Sequence, residues 1–378
     1  MKRSIISIAV IVLALVASIS IEAKVKKQSG SRRGQSIAAV EAQIIKAAKH
    51  QGNSDAYEAM FKATGKLENL IKTNPKTMDY NFKKLEEANI ADIETSGDGK
   101  VRYYQWDHNG GTMSCFTVWC QYRTAAGKVV TENVVSGIDG ECGGKHDFVG
   151  ELKASNGATV YVESISGKAD SFSGGISLMA YTIGKQGIVP VKFMKNGKDV
   201  TDDLDVEFYN VPGWYFKTDG EGWDWTMSLD EKNQDAYVSL VDEIPLYAER
   251  EDIEQLTDRY DVYHFNGKQF EYKRTGAGYW LHSSLGDYRY LVSLATVGKY
   301  MVRIDCMSDG TYRYASWKKD AEMLSKPDLV INGGTFDKDY ECFTFKNGNY
   351  VYIVNMVEES IQSLEIKDNG KSIYFAEK

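Results

Sequence analysis

From Ile90 onward, apolar and polar side chains alternate along segment after segment. KVRYYQWD (100–107), TMSCFTVWCQYR (112–123), ATVYVES (158–164), GGISLMAYTIG (174–184), RYDVYHF (259–265) and KQFEYKR (268–274) all carry the pattern. A period of two sends successive side chains to opposite faces of an extended chain, so each segment reads as a strand. The breaks between strands are as informative. Asp98-Gly99, Asn196-Gly197, Asn266-Gly267, Asn347-Gly348 and Asn369-Gly370 are Asx-Gly dipeptides. A two-residue type I′ turn needs positive φ at both central positions, which Asn and Gly tolerate. The pattern predicts antiparallel meanders. No helical stretches of helix length alternate with these strands, so a parallel α/β sheet is disfavoured.

The residues divide the chain into five stretches. Residues 1–23 read as a secretory signal peptide: Lys2 and Arg3 precede an apolar run over 5–16, and Ser18, Ser20 and Ala23 offer small residues for cleavage. The run is too short to span a bilayer comfortably. Residues 24–35, KVKKQSGSRRGQ, read as a flexible linker. Residues 36–90 form a helical prefix. Ser36 can cap a helix bearing Ile37, Val40, Ile44 and Ala48. A second helix carries Tyr57, Met60, Phe61, Leu67, Leu70 and Ile71 and ends at Asn74-Pro75, and a third runs from Thr77 to Ala88. Residues 91–283 form a larger all-β domain, a propeller-like meander or a sandwich. Residues 284–378 form a C-terminal β unit with strands near 287–295, 299–306, 311–317, 328–332, 340–346, 349–355, 361–367 and 371–376, suited to a barrel or sandwich.

Composition narrows the function. Of 378 residues, 53 are Asp or Glu against 45 Lys or Arg, a net charge of −8. A general nucleic-acid binder needs a basic face, so nucleic acid is not an expected partner. A P-loop, a G-x-G-x-x-G, an H-E-x-x-H and a G-x-S-x-G are all missing, so no cofactor, catalytic metal or serine triad is expected. Nothing after residue 23 reads as a membrane span. The mature chain is expected in the periplasm or outside the cell.

GDGKVRYYQWDHNGGTMSCFTVWCQYR (97–123), YVSLVDE (237–243) and DRYDVYHFNGKQFEY (258–272) resemble segments of secreted β-rich proteins from gut Bacteroidales bacteria. YRYASW (312–317), KPDLVINGG (326–334) and FKNGNYVYIV (345–354) resemble a β unit that recurs at the C-terminus of secreted bacterial proteins. The resemblance covers about half the mature chain. It implies export and a β-rich architecture, and it carries no assigned activity.

The five cysteines are Cys115, Cys120, Cys142, Cys306 and Cys342. Export favours pairing. Cys115 and Cys120 are an odd number of residues apart on one strand, hence on opposite faces. Cys142 sits in the glycine-rich IDGECGGKHD and can reach either one. Cys306 and Cys342 are the natural second bridge. Cys115, Cys120, Cys142 and His146 could instead supply zinc ligands, and Cys142 with His146 a nucleophile and base, but the face argument and the lack of any thiol activation weigh against both. Acidic loops at Asp199, Asp202, Asp203 and Asp205, and at Asp107 with Asn109, could meet calcium but match no calcium-loop pattern and read as solvated loops.

The most suggestive stretch is VPGWYFKTDGEGWDWTMS (211–228). It gathers Trp214, Trp223 and Trp225 around Asp219, Glu221 and Asp224. Flat rings stack on the apolar faces of sugars, and carboxylates accept hydrogen bonds from their hydroxyls. Core plus a turn at Asp219-Gly220 is the plainer reading, because Trp223 and Trp225 share one strand face. The reading that follows is an exported β-rich binding protein whose ligand is a glycan or another protein. Its rivals are a glycoside-active enzyme using the carboxylates near Trp223, and an inhibitor or assembly factor that docks a protein.

Overall fold

Apolar spacing builds the helical prefix. In the computed structural model, which describes residues 36–49, 56–108, 113–135, 143–168, 173–209, 227–243, 254–357 and 360–378, α1 spans Ile37–Ala48 and α2 spans Ala56–Thr73. Ala63, Leu67, Leu70 and Ile71 of α2 are buried at helical spacing together with Ile44 of α1. The expected third helix is broken. A 3₁₀ turn at Pro75–Asp79 is followed by extended Tyr80, and only a short α3 forms at Lys83–Glu87. The cause is local. The side chains of Asn74 and Asn81 accept the backbone N–H groups of Lys76 and Lys83, which competes with a continuous helix.

Among the described residues twenty-three strands follow, in four sheets. The first runs in chain order through β1 (Asp92–Thr95), β2 (Val101–Asp107), β3 (Phe116–Arg123) and β4 (Val129–Val135). The second contains β5 (Lys145–Lys153), β6 (Thr159–Lys168) and β7 (Ser173–Ile183). β8 (Ile188–Pro190) and β11 (Asp203–Tyr209) both pair with β7. The third has the order β10-β9-β15-β14-β13-β12, built from β9 (Phe193–Lys195), β10 (Asp199–Thr201), β12 (Met227–Asp230), β13 (Asp235–Glu243), β14 (Glu254–Phe265) and β15 (Phe270–Ala277). Among the described residues every strand pair is antiparallel except β15 with β9. There Phe270 stacks on Phe193, with centroids 4.8 Å apart.

The alternation of side chains sets how the sheets stack. Tyr104, Trp106 and Trp119 of the first sheet face the helices, where they meet Phe82 and Leu85. Val101, Tyr103, Val118, Cys120 and Tyr122 face the other way, onto Tyr161 and Tyr181 of the second sheet. The flanking Val160 and Val162 point into a core shared with Leu229, Ala236, Val238 and Phe265 of the third sheet. The far face of the third sheet carries Tyr237, Tyr260 and Val262.

The fourth sheet contains eight strands in chain order: β16 (Tyr290–Val297), β17 (Tyr300–Cys306), β18 (Tyr312–Lys318), β19 (Leu329–Asp337), β20 (Cys342–Asn347), β21 (Tyr350–Val357), β22 (Ser360–Asp368) and β23 (Lys371–Glu377). It curls into a half-barrel, so that Ile361 of β22 donates its N–H to Ser293 Oγ of β16. Phe343, Phe345, Val354 and Leu364 fill the concave side. Gly334 is required there. A Cβ at that position would lie 2.1 Å from the Phe345 ring. At the last turn Asn369 and Gly370 both take positive φ, 48° and 82°, as a type I′ hairpin needs.

One cysteine expectation fails. Cys306 and Cys342 are free thiols, as is Cys120. Cys306 is buried inside the half-barrel, whereas Cys342 precedes the inward-facing Phe343 and so points to the opposite face of β20. Cys115 is not among the free thiols, and Cys142 lies outside the described residues.

Candidate ligand-binding site

Trp214, Asp219, Glu221, Trp223, Asp224 and Trp225 all fall in 210–226, outside the described residues. The strand that continues from that segment is β12. Met227 and Leu229 enter the core below, so the intervening Ser228 and the terminal Asp230 take the opposite face. They lie across from Tyr237 and Asp235 of β13.

An aromatic cluster occupies that face. Tyr237 and Tyr260 are buried in the sheet, and Tyr279 and Trp280, just past β15, fold back over them. Trp280 meets Tyr260 edge-on at 4.9 Å and Tyr237 at 5.7 Å, and Tyr279 lies 5.1 Å from Tyr237. Such tilted and edge-to-face contacts are favourable for rings with negative faces and positive edges. Gly278 permits the fold-back, since a Cβ there would lie 2.2 Å from the Trp280 ring. Tyr279 remains 44% exposed, with its ring at the rim.

Charge surrounds the rings. Burial, then the nearby carboxylates Asp235 and Asp230 against the pull of Arg274, pushes the Tyr237 hydroxyl up to about 12. Burial and Asp230 raise Tyr279 as well. Both hydroxyls therefore stay protonated and able to donate. Beside them Asp235 accepts hydrogen bonds from His264 Nδ1 at 2.9 Å and Lys273 Nζ at 2.7 Å. The face thus presents one exposed phenol ring, Tyr279, over the buried rings of Tyr237 and Tyr260 and a buried Asp235 carboxylate. An exposed ring on a rigid aromatic base is the element that could stack on the apolar face of a hydroxyl-rich ligand. Sequence reading missed Tyr279 and Trp280 because GAGYW has no strand period, and their ring partners lie on β13 and β14.

The other candidates do not assemble. Among the described residues the only His, Cys, Asp or Glu group close enough to hold a metal is Asp92, Glu94 and Asp147. Cys115, Cys120 and His146 do not form one. Lys145 already bridges Asp92 and Asp147 at 2.9 and 2.8 Å, placing an ammonium where a cation would sit. Glu94 beside them is raised by burial, then by its two acidic neighbours. Asp202, Asp203 and Asp205 are engaged by Lys192, Thr201 and Ser177, and Asp107 accepts the Cys115 N–H. Asn109 lies outside the described residues. An open cleft of about 450 Å³ lies under the β9–β10 hairpin, beside Phe193 and Tyr263, but its Lys195 is tied to Asp261.

No family model matches the chain, and no curated protein does. Solved structures match only distantly. A periplasmic gluconolactonase from Pseudomonas aeruginosa aligns over 75% of this chain and 84% of its own, at 8% identity and TM-score 0.18. A functionally unknown protein from Desulfotomaculum acetoxidans covers the same shares at 10% identity and TM-score 0.19. An ulvan lyase of a polysaccharide lyase family covers 75% of this chain and 65% of its own at 11% identity and TM-score 0.19. At such scores the functional argument rests on the residues themselves. No described helix is long and apolar enough to cross a membrane.

Proposed function

We propose that this chain is an exported binding protein that holds a glycan against the outer face of β12–β15. The observation that carries the reading is the Tyr237–Tyr260–Tyr279–Trp280 cluster beside Asp230 and Asp235, on the strand that follows Trp214, Trp223 and Trp225 directly. In this reading Asp219, Glu221 and Asp224 supply further acceptors for sugar hydroxyls. The test is a glycan array probed with residues 24–378. Tyr279→Ala and the triple Trp214/Trp223/Trp225→Ala should each weaken the strongest signal by about tenfold or more, the scale of a lost aromatic anchor. Circular dichroism confirms folding. A folded chain that lights no glycan, or an array signal indifferent to both variants, removes the proposal and favours a protein ligand.

Export rests on Lys2, Arg3 and the apolar run over 5–16, and on the likeness to secreted Bacteroidales proteins. It goes with a Cys115–Cys142 bridge, because Cys120, Cys306 and Cys342 are the free thiols and an oxidising compartment pairs what it can. Thiol titration of the denatured, unreduced mature chain should therefore count three groups, those same cysteines. A count of five, the full cysteine content, would remove the bridge.

A further inference from the structure

We propose that β23 is the dimerisation edge of this protein, pairing antiparallel with β23 of a second copy. An open sheet edge invites pairing, and proteins protect edges with short strands, charge or cover. Among the described strands the other sheet edges are protected. β8 and β10 have three residues each. β1 carries Asp92 and Glu94, β4 carries Glu132 at its centre, β5 carries Asp147 and Glu151 within the strand, and β11 alternates Asp203, Asp205 and Glu207. β12 is short and ends in Asp230. β16 is long and uncharged, but almost all of it is buried.

β23 departs from this pattern. It has seven residues, KSIYFAE, and its central five are uncharged. Ile373 and Phe375 are 57% and 58% exposed. Its inner face is already held, since Tyr374 Oη accepts the Lys299 N–H and its ring packs edge-on against Tyr300. The slip in register between Ile366 and Lys367 disturbs the side toward β22, not the free side.

The sequence of the strand selects the partner. A two-fold axis at Tyr374 sets Lys371 against Glu377, Ser372 against Ala376 and Ile373 against Phe375, and then repeats each pair in reverse. Both ends become opposite-charge pairs, and the middle becomes an apolar contact that neither copy makes alone. An isologous interface of this kind needs a self-complementary strand, which this one is.

Sedimentation equilibrium of residues 24–378 at low salt tests the assignment. The wild-type chain should be a dimer. Lys371→Glu and Glu377→Lys should each raise the dissociation constant about tenfold, because each places like charges opposite one another twice in every dimer. The double reversal should restore wild-type affinity, since the pairs are re-formed between copies. Within one copy the two residues sit at opposite ends of a strand, so no monomer effect mimics this rescue. A chain that stays monomeric up to its solubility limit overturns the proposal. So does a dimer indifferent to either single reversal, or a double variant weaker than both singles.

Discussion

Arg303→Met is expected to lower the unfolding free energy by about 3–5 kcal/mol, the usual cost of removing one partner from a buried ion pair. Arg303 is 1% exposed at the junction of the third and fourth sheets. Its Nε donates to Asp305 Oδ1 at 2.6 Å, and its Nη2 donates to Asp258 Oδ2 at 3.0 Å. The guanidinium also lies 4.9 Å from the centre of the Tyr288 ring. Arg313 holds the other oxygen of Asp305 at 2.7 Å and reaches the Leu285 carbonyl. Two arginines and two aspartates thus neutralise one another away from water. Methionine would fill much of the volume but leave Asp258 without its cation. Burial already raises the Asp258 pKa despite Arg303, and losing that charge raises it further. The folded variant then binds more protons than its unfolded chain, so its deficit should shrink as pH falls toward the ordinary carboxylate range. Denaturant titrations at neutral and mildly acidic pH read both effects. Arg303→Lys keeps a charge but not the forked geometry, and should fall between. A deficit that does not change with pH would exclude Asp258 as the orphaned group.

The C-terminal half-barrel was the most legible part of the sequence. Its eight strands fall where the period of two and the turn residues place them, because each pairs with its chain neighbour and register is settled locally. Asn196-Gly197 and Asn369-Gly370 adopt positive φ at both residues, whereas the other Asx-Gly turns invert only at glycine. Long-range features were not legible. The parallel seat of β9 against β15 depends on Phe193 meeting Phe270 across a long stretch of chain. Cys306 and Cys342 sit in separate strands, as a bridge would need, but alternation turns the second outward. The helix expected over Thr77–Ala88 failed because two asparagine side chains outcompeted a helical pattern with few apolar residues. At the candidate site the sequence offered the tryptophans and acids of 214–225. It did not reveal that Tyr279 and Trp280 close over Tyr237 and Tyr260, since nothing local to GAGYW names those partners.

A second large effect is expected where the helical prefix joins the first sheet. Gln121 of β3 is fully buried, and its carboxamide makes four hydrogen bonds. Oε1 accepts from Thr77 Oγ1 at 3.0 Å and Tyr104 Oη at 2.7 Å. Nε2 donates to Thr131 Oγ1 and to the Ile71 carbonyl, each at 3.0 Å. The last bond answers a deficit written in the sequence. The Ile71 carbonyl would ordinarily receive the N–H of the residue four further on, but that residue is Pro75, which has none. A strand side chain therefore caps the helix that proline ends. Gln121→Leu keeps the size and removes all four bonds. Thr77 retains the Asn74 carbonyl as a partner and the Tyr104 hydroxyl keeps Thr77 and Arg102 beside it, but the Ile71 carbonyl is left buried and unpaired. At about 1–3 kcal/mol for the orphaned carbonyl and about 1 kcal/mol for the lost Tyr104 bond, the expected loss is about 3 kcal/mol. It should fall on one joint, because the four hydrogen-bond partners of Gln121 all belong to the helical prefix or the first sheet. Hydrogen exchange measured by mass spectrometry should show α2 opening about a hundredfold more often, while β17–β22 remain as protected as before. Equal acceleration in both regions would mean that the prefix and the half-barrel unfold as a single unit, and Gln121 would then be a global stabiliser, not the clasp of the prefix.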